Sequence, residues 1–248
     1  IFANRNFLIC TILVFIWGII IFATQYILPV FIARTRGLDG TTIASMVYIM
    51  GAAQVASGFL ALFLFKIVNR RTVAFIGFIM LATGTWLQGF MISEIGLNEI
   101  IWPQIIRGLS AQLCFLPLVL LSIGYLPADK IKDGSGLYSL MNRLGAAIGI
   151  AASNTLFELK ISENYLEISN ITSKALNQSQ LFLMKLNNLI PKYLSNSPEK
   201  VKIASEILYK IGIEEASAMA FNQIMLSMGI MALVISPLIF LVKGLKKE

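Results

Sequence analysis

Six stretches of this sequence are long and apolar enough to cross a lipid bilayer, and no other feature limits its fold as severely. They lie at about 7–32, 42–68, 72–92, 100–126, 135–157 and 216–242. A helix needs about 20 residues to cross a hydrocarbon core about 30 Å thick, and in that core each backbone N–H and C=O must be paired within its own element. The predicted class is therefore an all-α polytopic membrane protein. Its composition agrees: 57% of the residues are hydrophobic and 13% charged, whereas soluble domains sit near 45–50% and about 25%.

A net charge of +7 suggests nucleic acid in a soluble protein. Here the basic residues flank apolar runs and form no clustered face, so nucleic acid is excluded as a partner. The chain contains no histidine, which removes imidazole bases, imidazole proton relays and His-ligated metals. Cys10 and Cys114 lie inside apolar runs and read as small buried hydrophobes. Membrane proteases use a Ser with a His, or two membrane aspartates, and neither set exists. Catalytic residues, metal ligands and cofactors are accordingly not predicted. The chain opens at Ile1 with no secretory-leader pattern and reads as a piece of a longer protein.

Short links set the connectivity. Thr35 to Gly40 ends the first run, and Asn69-Arg70-Arg71 leaves so little chain that the second and third runs are expected to be antiparallel neighbours. In the second run Gly51, Gln54, Gly58 and Ala61 share a helical face suited to close packing. Pro117 should kink the fourth run and Pro237 the last. In the fifth, Ser135, Ser139, Asn142, Ala146, Gly149 and Ser153 form a small, polar stripe, opposite an apolar one of Leu137, Met141, Leu144, Ile148 and Ala151. Gly145 and Gly149 make a GxxxG pair.

Residues 158–215 hold seven lysines and seven glutamates and are expected to be a long loop before the last crossing. Two short amphipathic helices are predicted in it: one begins at Ser197-Pro198-Glu199 and stops at Gly212, and a weaker one spans 181–194. With the chain start inside, Arg5, Lys66, Arg70, Arg71, Lys130, Lys132, Lys243, Lys246 and Lys247 face the cytoplasm, against Arg34 and Arg36 in the short loops opposite. The positive-inside rule then puts both ends in the cytoplasm and the 158–215 loop outside.

Two arginines interrupt the apolar runs, Arg107 in the fourth and Arg143 in the fifth. A central membrane arginine costs about 2.5–3.5 kcal/mol to insert and normally faces a bundle interior or a wet cavity. Each is a candidate for a cavity-lining charge, or for a structural arginine bonded to neighbouring helices. Asp and Glu are absent from all six runs, so a proton-coupling carboxylate would have to come from elsewhere.

Several of these residues together resemble a known family: Asn4-Arg5-Asn6-Phe7 before the first run, Leu28-Pro29, Lys66 with Arg70-Arg71, Trp102-Pro103-Gln104, Gly108, Phe115 with Pro117-Leu118, Leu126-Pro127 and Ala220-Phe221-Asn222. The sequence resembles the C-terminal six-helix half of the 14-helix drug:proton antiporters of the major facilitator superfamily, in the EmrB/QacA branch of EmrB-type multidrug exporters. It departs from the superfamily loop motif at Ala61 and Val68, where glycine and aspartate are usual.

The resemblance implies alternating-access export of amphipathic toxic compounds across a bacterial inner membrane, against inward proton flow. The implied partners are an N-terminal half, a periplasmic adaptor and an outer-membrane channel. Because the first, second, fourth and fifth helices of a half line the cavity in this superfamily, Gln25, Gln54, Gln112 and Asn142 join the arginines as pathway candidates. Gly51, Gly58, Gly108, Gly145, Gly149 and Pro117 are the candidates for helix packing. Other readings stay open: a remnant or split-chain half without independent transport, or another carrier of the superfamily.

Overall fold

In the computed structural model, which describes residues 4–37, 39–91, 97–176 and 199–242, the described chain is helical with no strand. The helices are α1 (Arg5–Arg36), α2 (Gly40–Ile67), α3 (Arg70–Gln88), α4 (Leu97–Ile123), α5 (Ile131–Leu176) and α6 (Glu199–Ile235). A short 3-10 turn precedes α5, and a 3-10 segment, Ser236–Leu241, follows α6 with Pro237 in its first turn. Among the described residues five helices are long and apolar enough to cross a membrane, namely α1, α2, α4, α5 and α6. α3, with 19 residues, is about 28 Å long at about 1.5 Å per residue.

Local chemistry sets the ends. The Asn4 side chain accepts from the Asn6 and Phe7 amides and starts α1, while its own amide donates to the Tyr125 carbonyl at 3.0 Å and ties that start to the end of α4. Gly37, in the left-handed region at φ 55°, closes α1 with its N–H on the Ala33 carbonyl. Asp39 then opens α2 and accepts from the Thr41 and Thr42 hydroxyls.

α1 is apolar on every side and occupies the middle of the bundle, as such a helix must. Phe7, Cys10, Leu13, Val14, Ile20, Ala23 and Ile27 are fully buried, and α4, α5 and α6 all pack on it. Paired positions give the directions. Phe15 meets Gly145, Ile19 meets Gly149, Tyr26 meets Asn154 and Arg34 meets Glu158, so α1 and α5 run parallel. Met50 and Gln54 meet Gly108 and Ser57 meets Gln112, so α2 and α4 are also parallel. Gly77 against Leu113 and Gln88 against Gln104 make α3 antiparallel to α4, and the helices alternate in direction.

Three expectations need correcting. α2 and α3 do not lie side by side: they meet near their linked ends, at Ala61 and Val73, and α4 packs against both. A two-residue link dictates where two helices join but not the angle at which they part. The polar 158–215 stretch is not, where described, a loop with small helices, because 158–176 continue α5 and 199–215 open α6. Gly212 does not stop its helix. It lies against the Tyr165 ring, which a Cβ there would crowd at 3.0 Å. The weaker pattern at 181–194 falls outside the described residues.

Candidate functional site

On α4 the buried positions Gln104, Arg107, Gly108, Ala111, Cys114, Leu118 and Leu121 recur at helical spacing, so the stripe that faces the core carries an arginine. Arg107 is 0% exposed. Its Nη1 donates to Gln88 Oε1 at 2.6 Å and to Gln104 Oε1 at 3.0 Å, and its Nη2 to Thr24 Oγ1 at 2.5 Å. Gln88 Nε2 in turn donates to Gln104 Oε1 at 3.2 Å, and the Thr24 hydroxyl donates to the Ile20 carbonyl at 2.7 Å. One cation thereby ties α1, α3 and α4 together.

Among the described residues no Asp or Glu is buried and no carboxylate pairs with Arg107, so neutral dipoles alone hold the charge. Burying an ion costs several kcal/mol, and each charge-assisted bond returns about 1.5–3 kcal/mol. Gly84 provides the room: a Cβ there would lie 2.6 Å from Arg107 Cγ.

The other candidates are not gathered into this cluster. Gln25, Gln54, Gln112 and Asn142 are each half-buried, on α1, α2, α4 and α5. Gln112 lies where α4 presses on α2, its backbone N–H on Ser57 Oγ at 3.3 Å. Asn142 lies on α1, its carbonyl 2.8 Å from where a Gly18 Cβ would stand, and its Oδ1 is sealed with no partner among the described residues. Arg143 is exposed on the far side of α5, beside Leu140, Leu144 and Ile148. The small, polar stripe of α5 is thus a packing seam in its Asn142, Ala146 and Gly149 portion, with Gly145 packed beside it.

The packing glycines divide. Cβ atoms at Gly145, Gly149 and Gly108 would stand 2.2, 2.5 and 2.5 Å from the carbonyl oxygens of Phe15, Ile19 and Met50. At Gly51 and Gly58 nothing lies within 4 Å, so these two glycines are not packed within the described chain, although Gln54 and Ala61 on the same face are. Pro117 is buried and α4 continues through it. Cys10 and Cys114 are buried free thiols.

Gln88 and Thr24 carry no signal in the sequence, and Gln104 stands there only within the Trp102-Pro103-Gln104 motif. Gln104 and Arg107, three apart on one helix, were a usable signal. Gln88 and Thr24 lie 19 and 83 positions from Arg107, and only packing brings them to it.

In the last turn of α1, Arg34 grips Glu158 of α5 with both terminal nitrogens, at 3.1 and 2.8 Å, and lies over the Phe157 ring with its guanidinium carbon 5.6 Å from the centroid. α4 and α5 both pack on α1 but touch each other little. Between them runs a seam floored by α1.

A bundle of apolar helices with a buried, dipole-held arginine defines a multi-pass membrane protein with a polar interior. No protein-family profile matches the chain, but individual proteins do. It is 27% identical over 248 residues to the colistin resistance protein EmrB of Acinetobacter baumannii, covering 99% of this chain and 48% of that protein. It is 23% identical over 190 residues to the multidrug export protein EmrB of Escherichia coli K12, covering 76% and 37%. With the fatty acid resistance protein FarB of Neisseria gonorrhoeae it shares 23% over 165 residues, covering 63% and 31%. The chain is a homologue of the EmrB-type branch of major facilitator efflux proteins. It spans half or less of the length of these relatives.

Proposed function

We propose that these residues form the C-terminal half of a proton-coupled efflux transporter that carries amphipathic compounds out of the cell by alternating access. The observation that carries the proposal is the Arg107 cluster, in a chain alike along its whole length to an efflux protein. A cation held by neutral dipoles between three helices is poised to exchange partners when those helices shift. In this proposal α3 is the sixth crossing, both ends are cytoplasmic, and the outer parts of α5 and α6 project where a periplasmic adaptor and outer-membrane channel would meet them. Gln25, Gln112 and Asn142 flank the pathway, with Gln54 on the α2 wall.

The N-terminal half is the main partner. Arg143 is exposed on a membrane helix, and Phe59 and Tyr48 of α2 are each 74% exposed. A lipid-facing arginine is costly, whereas a second half laid over α2 and α5 would cover all three. Because the buried residues described include no acid, the proton-binding group is assigned to that half. Residues 1–248 reconstituted alone in liposomes should show neither substrate-induced proton release nor gradient-driven uptake, and adding an N-terminal half should restore both. A pH-sensitive dye checks this, and proton-coupled transport by these residues alone would sink the division of labour.

A further inference from the structure

We infer that the junction of α1, α4 and α5 is a binding subsite for a planar aromatic group bearing a hydrogen-bond acceptor, formed by Trp17, Phe115 and Tyr138. The purpose of such a ligand rests on the transport proposal above, and its position rests on geometry. Each helix brings one ring. Trp17 and Phe115 have centroids 5.3 Å apart at 34°, and Phe115 and Tyr138 5.9 Å apart at 55°. Trp17 is 5% and Tyr138 2% exposed, yet the Trp17 indole N–H and the Tyr138 hydroxyl have no hydrogen-bond partner among the described residues.

Buried Trp and Tyr ordinarily satisfy their polar ends, and in a membrane an unmet donor is more costly still. Phenylalanine at position 138 would pack the same space without that cost. Two sealed donors beside one aromatic cluster therefore point to an acceptor that this conformation lacks. Asn142, one turn along α5, keeps its unmatched oxygen at the same seam. Phe115 is only half-buried and α4 touches α5 little, so a flat group has a way in between them. With no buried carboxylate among the described residues, a lipophilic cation finds no counter-charge here, and the donors select an acceptor instead.

The test uses the intact chain in lipid nanodiscs, flanking sequence included, with benzophenone as photoprobe and its ketone as the acceptor. Peptide mapping should place the saturable label around Trp17, Phe115 or Tyr138. 2-Acetylnaphthalene should compete about tenfold better than 2-isopropenylnaphthalene, whose trigonal side group has nearly the same shape without an acceptor. Tyr138→Phe together with Trp17→Phe should erase that preference. Tyr138→Phe alone keeps the ring and removes only an unmatched hydroxyl, so it guards against loss of fold and should weaken the preference. Label confined to the exposed faces of α2 and α5, equal competition by the two naphthalenes, or stronger competition by tetraphenylphosphonium would overturn the subsite. Binding is read without a gradient, so loss of transport with labelling intact counts against the transport proposal and leaves the subsite standing.

Discussion

Arg107 ties three helices together, yet of the groups it holds only Gln88 Oε1 would lose its donor without it. Gln88 and Gln104 already bond each other, and Thr24 already donates to the Ile20 carbonyl. Removing the buried charge also removes its desolvation cost of several kcal/mol, which offsets the about 1–3 kcal/mol for Gln88 Oε1 losing its donor. Arg107→Met should therefore leave the amount of protein in the membrane within about twofold while lowering export at least tenfold. Arg107→Lys keeps the charge but loses the fork that reaches both Gln88 and Thr24, and export should again fall. Leu233→Ala, exposed on α6 and away from the face given to the N-terminal half, is the control and should change little. Immunoblots beside a drug-accumulation assay separate the roles: full export by Arg107→Met would make the arginine structural.

At the scale of elements the bundle is built from two parallel pairs, α1 with α5 and α2 with α4, each brought together through glycine. Gly145→Ala would drive a methyl into the Phe15 carbonyl, with the nearest approach at 2.2 Å, and should destabilise the protein by about 1–3 kcal/mol, as overpacking does. Gly51→Ala and Gly58→Ala meet open space within the described chain and should leave thermal unfolding in detergent unchanged or slightly raised. Equal losses at Gly145 and Gly51 would show that the α1–α5 contact is not the tighter seam. In the sequence α2 and α5 each carry a face of small residues suited to close packing. Which stripe found a partner depended on which helix came to rest against it, and a repeat of small residues does not encode that. The same limit explains why the link at 68–69 suggested α2 beside α3, when α4 offered both a longer matching surface.

For the molecule as a whole, α5 and α6 outrun any bilayer. The 46 residues of α5 extend about 69 Å, against a core of about 30 Å, and Tyr165 packs edge-on against Tyr209, 5.4 Å between centroids, in the antiparallel continuation of the pair. In the proposed topology, which follows the charge bias, this continuation lies outside the cell. Both native cysteines are buried, so a new thiol can be read against a silent background. Glu167→Cys should react with an impermeant maleimide on intact cells, and Lys132→Cys only after the membrane is opened. The opposite pattern would invert the orientation.

Six long apolar runs, their polar breaks and the tally of flanking lysines and arginines pointed to a helical membrane protein from composition and order alone, because a bilayer screens each crossing segment by itself. Arg107 could be singled out for the same reason: an isolated charge in an apolar run is conspicuous without any knowledge of its surroundings. What surrounds it was a tertiary matter. Gln88 and Thr24 reach it across two helix interfaces, Arg143 was turned outward although it sat in an equally apolar run, and Trp17, Phe115 and Tyr138 converge from three helices with no common spacing. Side-chain neighbours inside a bundle follow from which ridges and glycine hollows fit together, and that fit is a property of pairs of surfaces rather than of any one segment.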